Sequence, residues 1–193
     1  MGGATTLVPL DLRDFDGIDR LGKAIFDRWG HLDGLVGNAG IAGLLTPVAH
    51  IEPKEFDTAL AVNVTANYRL IRSMDLLLRQ SKAGRALFIT SGIVPVAVPY
   101  FGIYTATKMA LEGLVKVYAA EMTNTTVRVN ALNPGPLRTA LRAKAIPGED
   151  PDTLSPPEVV APEIVRMISS DYAENGMLFE YETGTTKPLA YSR

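Results

Sequence analysis

The feature that most constrains the fold is an alternation of short, apolar, β-rich runs with longer amphipathic stretches. Apolar residues recur with a helical period in the longer stretches, whereas the short runs are typical of buried strands. Strands that alternate with helices favour one parallel sheet, with helices on both faces and right-handed connections. The predicted strands are 5–10, 32–36, 85–90, 127–132 and 177–182, and the predicted helices are 16–29, 52–80, 104–122 and 157–169.

Polar or small residues follow three of these strands where each strand ends. Asn38 follows the second predicted strand, Ser91 the third, and Pro134-Gly135 the fourth. In an open α/β sheet, ligands bind beyond the carboxyl ends of the parallel strands. The sequence therefore predicts that these residues meet at one edge of the sheet and line a ligand site.

Tyr104 and Lys108 lie four residues apart on a predicted helix, so they share one face and sit one turn apart. An ammonium close to a phenol stabilises the phenolate and lowers a pKa that is ordinarily about 10. Such a phenol can give and take a proton near neutral pH. The pair alone is a common chance pattern, and a half-buried tyrosine beside a solvated lysine would look the same.

Composition excludes several classes of function. The chain has 193 residues, 47% of them hydrophobic and 21% charged, with a net charge of −2, which is typical of a globular domain rather than a nucleic-acid or membrane-surface binder. There is no cysteine, so disulfides, thiolate metal sites and cysteine nucleophiles are excluded. His31 and His50 are isolated, and we expect no metal site. Without a visible signal peptide, a cytoplasmic location is expected.

Taken together, the motifs resemble those of the short-chain dehydrogenase/reductase family over roughly residues 7–139. The resemblance implies a Rossmann-like α/β fold, NAD or NADP as cofactor, and interconversion of an alcohol and a carbonyl by hydride transfer. The motifs that carry it are Asn38-Ala39-Gly40, Asn63, Ser91, the Tyr104–Lys108 pair and Asn133-Pro134-Gly135.

The resemblance also implies roles for four catalytic residues. Tyr104 would be the general acid and base, and Lys108 would lower its pKa and hold the nicotinamide ribose. Ser91 would donate a hydrogen bond to the substrate oxygen, although a strand-end serine more often caps the backbone. Asn63 would support a proton relay, and a buried amide satisfying local backbone is compatible with that role.

The cofactor contacts are likewise implied by the resemblance. Asn38, Ala39 and Gly40 would lie beside the adenosine ribose, where small residues let the backbone approach a ligand. Pro134, Gly135 and Thr139 would embrace the nicotinamide. Asp11 and Leu12 would meet the adenine, although an aspartate after a strand is as often a helix cap.

The chain departs from the family at its beginning. The family opens with a strand, a glycine-rich turn and a helix that cradle the pyrophosphate, followed by a strand whose end selects NAD or NADP. No such segment is found here, and Gly2-Gly3 has no predicted strand before it. We therefore expect one truncated domain over residues 1–193, with the N-terminal β-α-β portion missing, and cofactor preference is not specified.

Three explanations of that gap stay open at this point. The polypeptide is longer than the given chain, its N-terminal pieces adopt an arrangement foreign to the family, or a partner chain fills the slot. If the strand 5–10 forms and two strands are missing, neighbouring strands would be separated by roughly 14 Å. The alternative to an enzyme is a catalytically inactive fragment or a non-catalytic oligomerising or regulatory subunit.

Three further features bear on partners and substrate. The small residues Ala106, Ala110 and Gly113 predict close packing of the long helix, either between subunits of a homodimer or homotetramer or inside one chain. Residues 147–157 form either a mobile loop over the site or an exposed connector. A small-molecule substrate is expected, and apolar residues between positions 94 and 101 could line its pocket.

Overall fold

Five strands form one sheet in the order β1-β2-β3-β4-β5 in the computed structural model, which describes residues 5–189. β1 to β4 pair in parallel and β5 pairs antiparallel to β4. The predicted Rossmann-like α/β fold class is therefore confirmed. The Gly2-Gly3 pair lies outside the described residues. The strands are β1 (Gly34–Gly37), β2 (Arg85–Ile89), β3 (Arg128–Asn133), β4 (Met177–Glu180) and β5 (Thr185–Pro188).

Six α-helices accompany the sheet in residues 5–189. Two of them, at residues 15–29 and 102–121, begin and end within two residues of their predicted bounds, because periodicity and caps mark them clearly. The first begins after Asp14, whose side chain accepts a hydrogen bond from the Gly17 amide, and ends at Gly30 with φ 72°. The helices are α1 (Phe15–Trp29), α2 (Pro53–Leu60), α3 (Ala66–Gln80), α4 (Gly102–Glu121), α5 (Ala140–Ala145) and α6 (Ala161–Met167).

β2 explains how helices cover both faces of the sheet. All five of its residues are buried, as expected for a continuous apolar run in a parallel sheet. Ala86 and Phe88 face a cluster built with side chains of α3 and α4. Leu87 and Ile89 face a second cluster that includes Met167 of α6. The end of β2 is thereby held rigidly between two apolar layers.

The predicted helix 52–80 is interrupted. A π-helical turn, Ala61–Thr65, separates α2 from α3. Such turns insert one extra residue into a helix and often occur at functional sites. Here the turn contains Asn63, which is fully buried. Apolar periodicity continues through the segment, so the sequence pattern does not reveal the interruption.

The prediction of a strand at residues 5–10 is wrong. Residues 5–11 form no strand, and Leu7 and Val8 are 87% and 54% exposed. Among the described residues, none pairs with the outer edge of β1, so this β-rich run has no ladder to join. The slot expected between two separated strands does not form.

Other differences concern the second half of the chain. α5 and β5 were not predicted, and the segment 147–157 contains a short 3-10 turn, Pro151–Thr153. The predicted helix 157–169 begins with another 3-10 turn, Pro157–Val160, before α6. On α4, Ala106 and Ala110 are exposed and a Cβ on Gly113 would meet nothing within 4 Å. Packing of these small residues inside the chain is therefore not seen.

Candidate active site

One cavity of about 930 Å³ opens at the carboxyl ends of β1, β2 and β3. This is the edge at which the parallel strands of an open α/β sheet leave room for a ligand. Every predicted site residue except Asp11, Leu12 and Asn63 lines it. The predicted residues that line it are Asn38, Ala39, Gly40, Ser91, Tyr104, Lys108, Pro134, Gly135 and Thr139.

Tyr104 and Lys108 lie in the first two turns of α4. Lys108 is only 3% exposed, and its Nζ donates a hydrogen bond to the Ile89 carbonyl oxygen, 2.7 Å away. The same Nζ lies 5.7 Å from the centre of the Tyr104 ring. Within residues 5–189 this is the only hydrogen bond that Lys108 Nζ makes, so two of its three N–H groups remain for a ligand.

The pKa values of the two groups differ from the simple expectation. Burial raises the pKa of Tyr104, and a hydrogen bond with Ser91 opposes this shift without reversing it. The expected lowering of the Tyr104 pKa by Lys108 is therefore not seen. Burial also lowers the pKa of Lys108 to about 8, against an opposing effect of Glu112. At neutral pH the site thus pairs a protonated phenol with a partly destabilised ammonium.

Asn63 lies behind the cavity wall and holds that wall in place through hydrogen bonds. Its Oδ1 accepts from the Ile41 amide and its Nδ2 donates to the Ile41 carbonyl, both at 2.8 Å. The same Nδ2 donates to Thr107 Oγ1 at 2.9 Å, and Thr107 donates to the Tyr104 carbonyl. A single buried amide therefore ties the loop after β1 to the first turn of α4.

That loop brings Gly40 next to the ammonium. A Cβ at position 40 would lie 3.5 Å from Lys108 Nζ and 3.3 Å from Asn63 Oδ1. The absence of a side chain leaves the charged end of Lys108 accessible from the cavity. This small-residue approach to a buried cation fits the hydroxyl-rich ribose of a nicotinamide nucleotide.

The segment after β3 forms another wall. The Gly135 amide donates to Asn133 Oδ1 at 3.1 Å, and Asn133 Nδ2 donates to Glu180 Oε2 at 2.5 Å. Gly135 has φ 70°, and a Cβ there would lie 2.5 Å from Glu182 Cγ. Thr139 caps α5, because its Oγ1 accepts from the Arg142 amide.

Asp11 and Leu12 do not line the cavity. The Asp11 carboxylate pairs with the exposed guanidinium of Arg13 at 2.6 Å, and this hydrogen-bonded contact lowers the pKa of Asp11 to about 2. In this structure its carboxylate is therefore engaged by a sequence neighbour. The described residues that line the cavity also include no glycine-rich turn feeding a helix start of the kind that binds a pyrophosphate.

Two acidic residues near the site were missed by the sequence analysis. Glu112 is only 9% exposed, and its Oε1 accepts from Thr90 Oγ1 at 2.6 Å. It lies one turn beyond Lys108, so helical spacing was an available signal. Glu149 pairs with Arg142, which lines the cavity. That pair bridges an irregular loop, and no periodic pattern points to it.

The described residues also bear on metal binding and on membrane insertion. No group of three or more histidine, aspartate or glutamate side chains in residues 5–189 is arranged to hold a metal ion. No helix in the described part of the chain is long and apolar enough to span a bilayer.

Comparison with known proteins was consistent with the motifs. A family model described as enoyl-(acyl carrier protein) reductase matches residues 1–162. The uncharacterized oxidoreductase YciK of Escherichia coli K12 is 34% identical over 166 residues, covering 86% of this chain and 66% of that protein. The chain spans 50% to 66% of the lengths of eight curated relatives that it matches.

Solved structures give the same result. A short-chain dehydrogenase from Salmonella enterica serovar Typhi superposes with a TM-score of 0.86 at 32% identity, covering 90% of this chain and 72% of that chain. A putative short-chain dehydrogenase from Escherichia coli CFT073, complexed with NADPH, superposes with a TM-score of 0.84 at 33% identity, covering 90% and 73%. The chain belongs to the short-chain dehydrogenase/reductase family.

Proposed function

We propose that this chain carries the catalytic part of an NAD(P)-dependent oxidoreductase that interconverts an alcohol and a carbonyl group. The observation that carries the proposal is the convergence of Tyr104, Ser91 and the buried Lys108 on one cavity. These are the hydroxyl donors and the cation that proton transfer to a carbonyl oxygen requires.

Tyr104 handles the proton in this proposal. Its raised pKa keeps it protonated at neutral pH, so it donates its hydroxyl proton to the carbonyl oxygen during reduction. Ser91 donates a hydrogen bond to the same oxygen and stabilises the charge that develops there. A bound nicotinamide supplies the hydride in reduction and accepts it in oxidation. In the oxidation direction the deprotonated form of Tyr104, whose population grows as the pH rises, would accept the alcohol proton.

Lys108 and Asn63 organise the cofactor side of the site. The two uncommitted N–H groups of Lys108 would hold the nicotinamide ribose hydroxyls, and Gly40 leaves room for them. Asn63 keeps the Gly40 loop in place through its two bonds to Ile41. The remaining contacts would come from Asn38, Ala39, Pro134, Gly135 and Thr139.

A Tyr104→Phe substitution tests the proposal, because it removes one hydroxyl and keeps the ring. NADPH- and NADH-dependent reduction of a panel of ketones and aldehydes is measured, and we expect at least a roughly hundredfold loss of kcat. Tyr68→Phe, on the exposed surface of α3, serves as the matched control and should change nothing. Full activity in Tyr104→Phe would contradict the proposal.

A second candidate function is a non-catalytic oligomerising or regulatory subunit. It is favoured by the open outer edge of β1 and by the lack of a pyrophosphate cradle among the described residues that line the cavity. This candidate predicts no turnover in the native chain and unchanged assembly in Tyr104→Phe. The exposed Ala106 and Ala110 of α4 support a homodimer or homotetramer under either function, which light scattering tests.

A further inference from the structure

The walls of the cavity next to Ser91 and Tyr104 are apolar. The connection from β2 to α4 contributes Ile93, Val96 and Phe101, and the α5 region contributes Leu141 and Ile146. Surfaces of this kind stabilise a ligand by removing its apolar area from water. They provide few hydrogen-bonding groups to a polar substrate, so its specificity has to come from the charged residues that line the same cavity, which are Lys108, Arg142 and Glu182.

Arg142 is the charged side chain that α5 contributes to this wall. It does not present a free guanidinium, because Glu149 accepts from its Nε at 2.6 Å and from its Nη2 at 2.7 Å. Both side chains are partly buried, with 32% and 23% of their surface exposed. The Nε–Nη2 edge that grips a carboxylate in a bidentate pair is therefore already occupied by one.

This pairing also keeps both partners charged. The hydrogen bonds from Arg142 lower the pKa of the Glu149 carboxyl, and those to Glu149 raise the pKa of Arg142. The pair is then neutral as a unit over the working pH range. A substrate carboxylate entering the cavity would meet either a masked guanidinium or the repulsion of the Glu149 charge.

We propose that the Arg142–Glu149 pair restricts the site to uncharged, apolar carbonyl compounds, and that Glu149 is a specificity-determining residue that excludes keto acids by masking Arg142. The inference rests on the proposed function, since it assigns a substrate class to the same site. Without the Glu149 carboxylate, the Arg142 guanidinium would be available to bind a substrate carboxylate. Specificity therefore depends on Glu149 and not on Arg142 alone.

Binding of two matched probes tests the proposal without requiring turnover. Benzylacetone is an apolar ketone, and its analogue with a carboxylate in place of the terminal methyl group is a keto acid of the same skeleton. Each is titrated into the isotope-labelled chain, and affinities are read from NMR shifts. We expect the keto acid to bind the native chain at least about tenfold more weakly than the ketone.

Glu149→Gln keeps the size and removes the charge, and it should reduce this preference to less than about threefold. The double change Glu149→Gln with Arg142→Gln should restore the preference for the ketone, because tighter binding of the keto acid requires the guanidinium. Glu163→Gln, which alters an exposed ion pair on α6 outside the cavity, is the matched control and should leave the preference unchanged.

Three results of the binding experiment would overturn the proposal. They are equal or tighter binding of the keto acid to the native chain, an unchanged preference in Glu149→Gln, and a lack of binding of both probes. The proposed function is judged separately, by nucleotide binding and by the Tyr104→Phe comparison. A native chain that reduces keto acids with NADPH would keep the proposed function and reject the substrate class.

Discussion

The carboxyl edge of the sheet and the N-terminal segment differ sharply in how they are held. At the carboxyl edge, Asn63, Lys108 and Glu112 are buried and each makes a hydrogen bond to another element. In the N-terminal segment, Leu7 is 87% exposed and the Asp11 carboxylate pairs with the exposed Arg13. These buried residues of the proposed site are thus held by the core, whereas the predicted adenine contacts are not.

This contrast shows which part of a nucleotide site depends on which part of the chain. The proposed nicotinamide side consists of β2, β3 and α4, which contribute side chains to the buried apolar clusters of the described residues. The adenine contacts Asp11 and Leu12 were predicted to follow a strand at residues 5–10, and that strand does not form. We therefore expect changes at the carboxyl edge to be costly and changes in the N-terminal segment to be mild.

The largest expected effect is that of Asn63→Leu. This substitution leaves the Ile41 amide and carbonyl without their partner, so it should lower the free energy of unfolding by about 2–4 kcal/mol. Leu7→Ser is the comparison in the other region and should change it by less than about 0.5 kcal/mol. Urea denaturation measures both. Equal changes in the free energy of unfolding for the two variants would contradict the difference between the carboxyl edge and the N-terminal segment.

Lys108→Met should stabilise the fold while impairing the site. The lowered pKa means that between pH 8 and 10.5 the unfolded chain binds more protons than the folded one, so native stability rises with pH across that window. Below pH 8 both states are protonated and the burial penalty is constant. Removing the charge should therefore add about 2 kcal/mol at pH 7, after an offset of about 1 kcal/mol for the Ile89 carbonyl oxygen that loses its donor, and flatten the rise.

Denaturation at a series of pH values checks this prediction. Lys82→Met, at an exposed position after α3, serves as the control and should leave the pH dependence unchanged. A Lys108→Met variant that keeps the rise between pH 8 and 10.5 would show that another group causes it.

The smallest expected effect is that of Glu112→Gln. Glu112 raises the pKa of Lys108, so neutralising it should lower that pKa further and move the onset of the stability rise to lower pH. An NMR titration of the lysine side chains follows the change directly. Glu121→Gln, at the exposed end of the same helix, should have no such effect. An unchanged Lys108 titration in Glu112→Gln would show that the Glu112 charge does not influence the Lys108 ammonium.

The parts of the fold that were predicted correctly have strong local signals. The bounds of α1 follow from an apolar stripe between Asp14 and Gly30, and β2 follows from a compact apolar run. The π-helical turn around Asn63 and the strand β5 lack such signals. A π-helical turn changes hydrogen bonding without changing apolar periodicity. β5 is exposed along its length, so no apolar alternation marks it and only its pairing with β4 defines it as a strand.

The candidate site was predictable where residues follow strand ends or share a helix face. Ser91, Tyr104 and Lys108 meet in the cavity for that reason. The Arg142–Glu149 pair was not predictable, because an irregular loop sets the distance between its members. Residues 5–10 show the opposite failure, since β propensity predicted a strand that pairing does not support.

Calorimetric titration of the chain with NADPH and with NADH tests the central claim most directly. The account predicts saturable binding of at least one nucleotide, and loss of that binding in Lys108→Met, because Lys108 would hold the nicotinamide ribose. The absence of binding of both nucleotides to the folded native chain would contradict the claim that residues 5–189 build a working cofactor site.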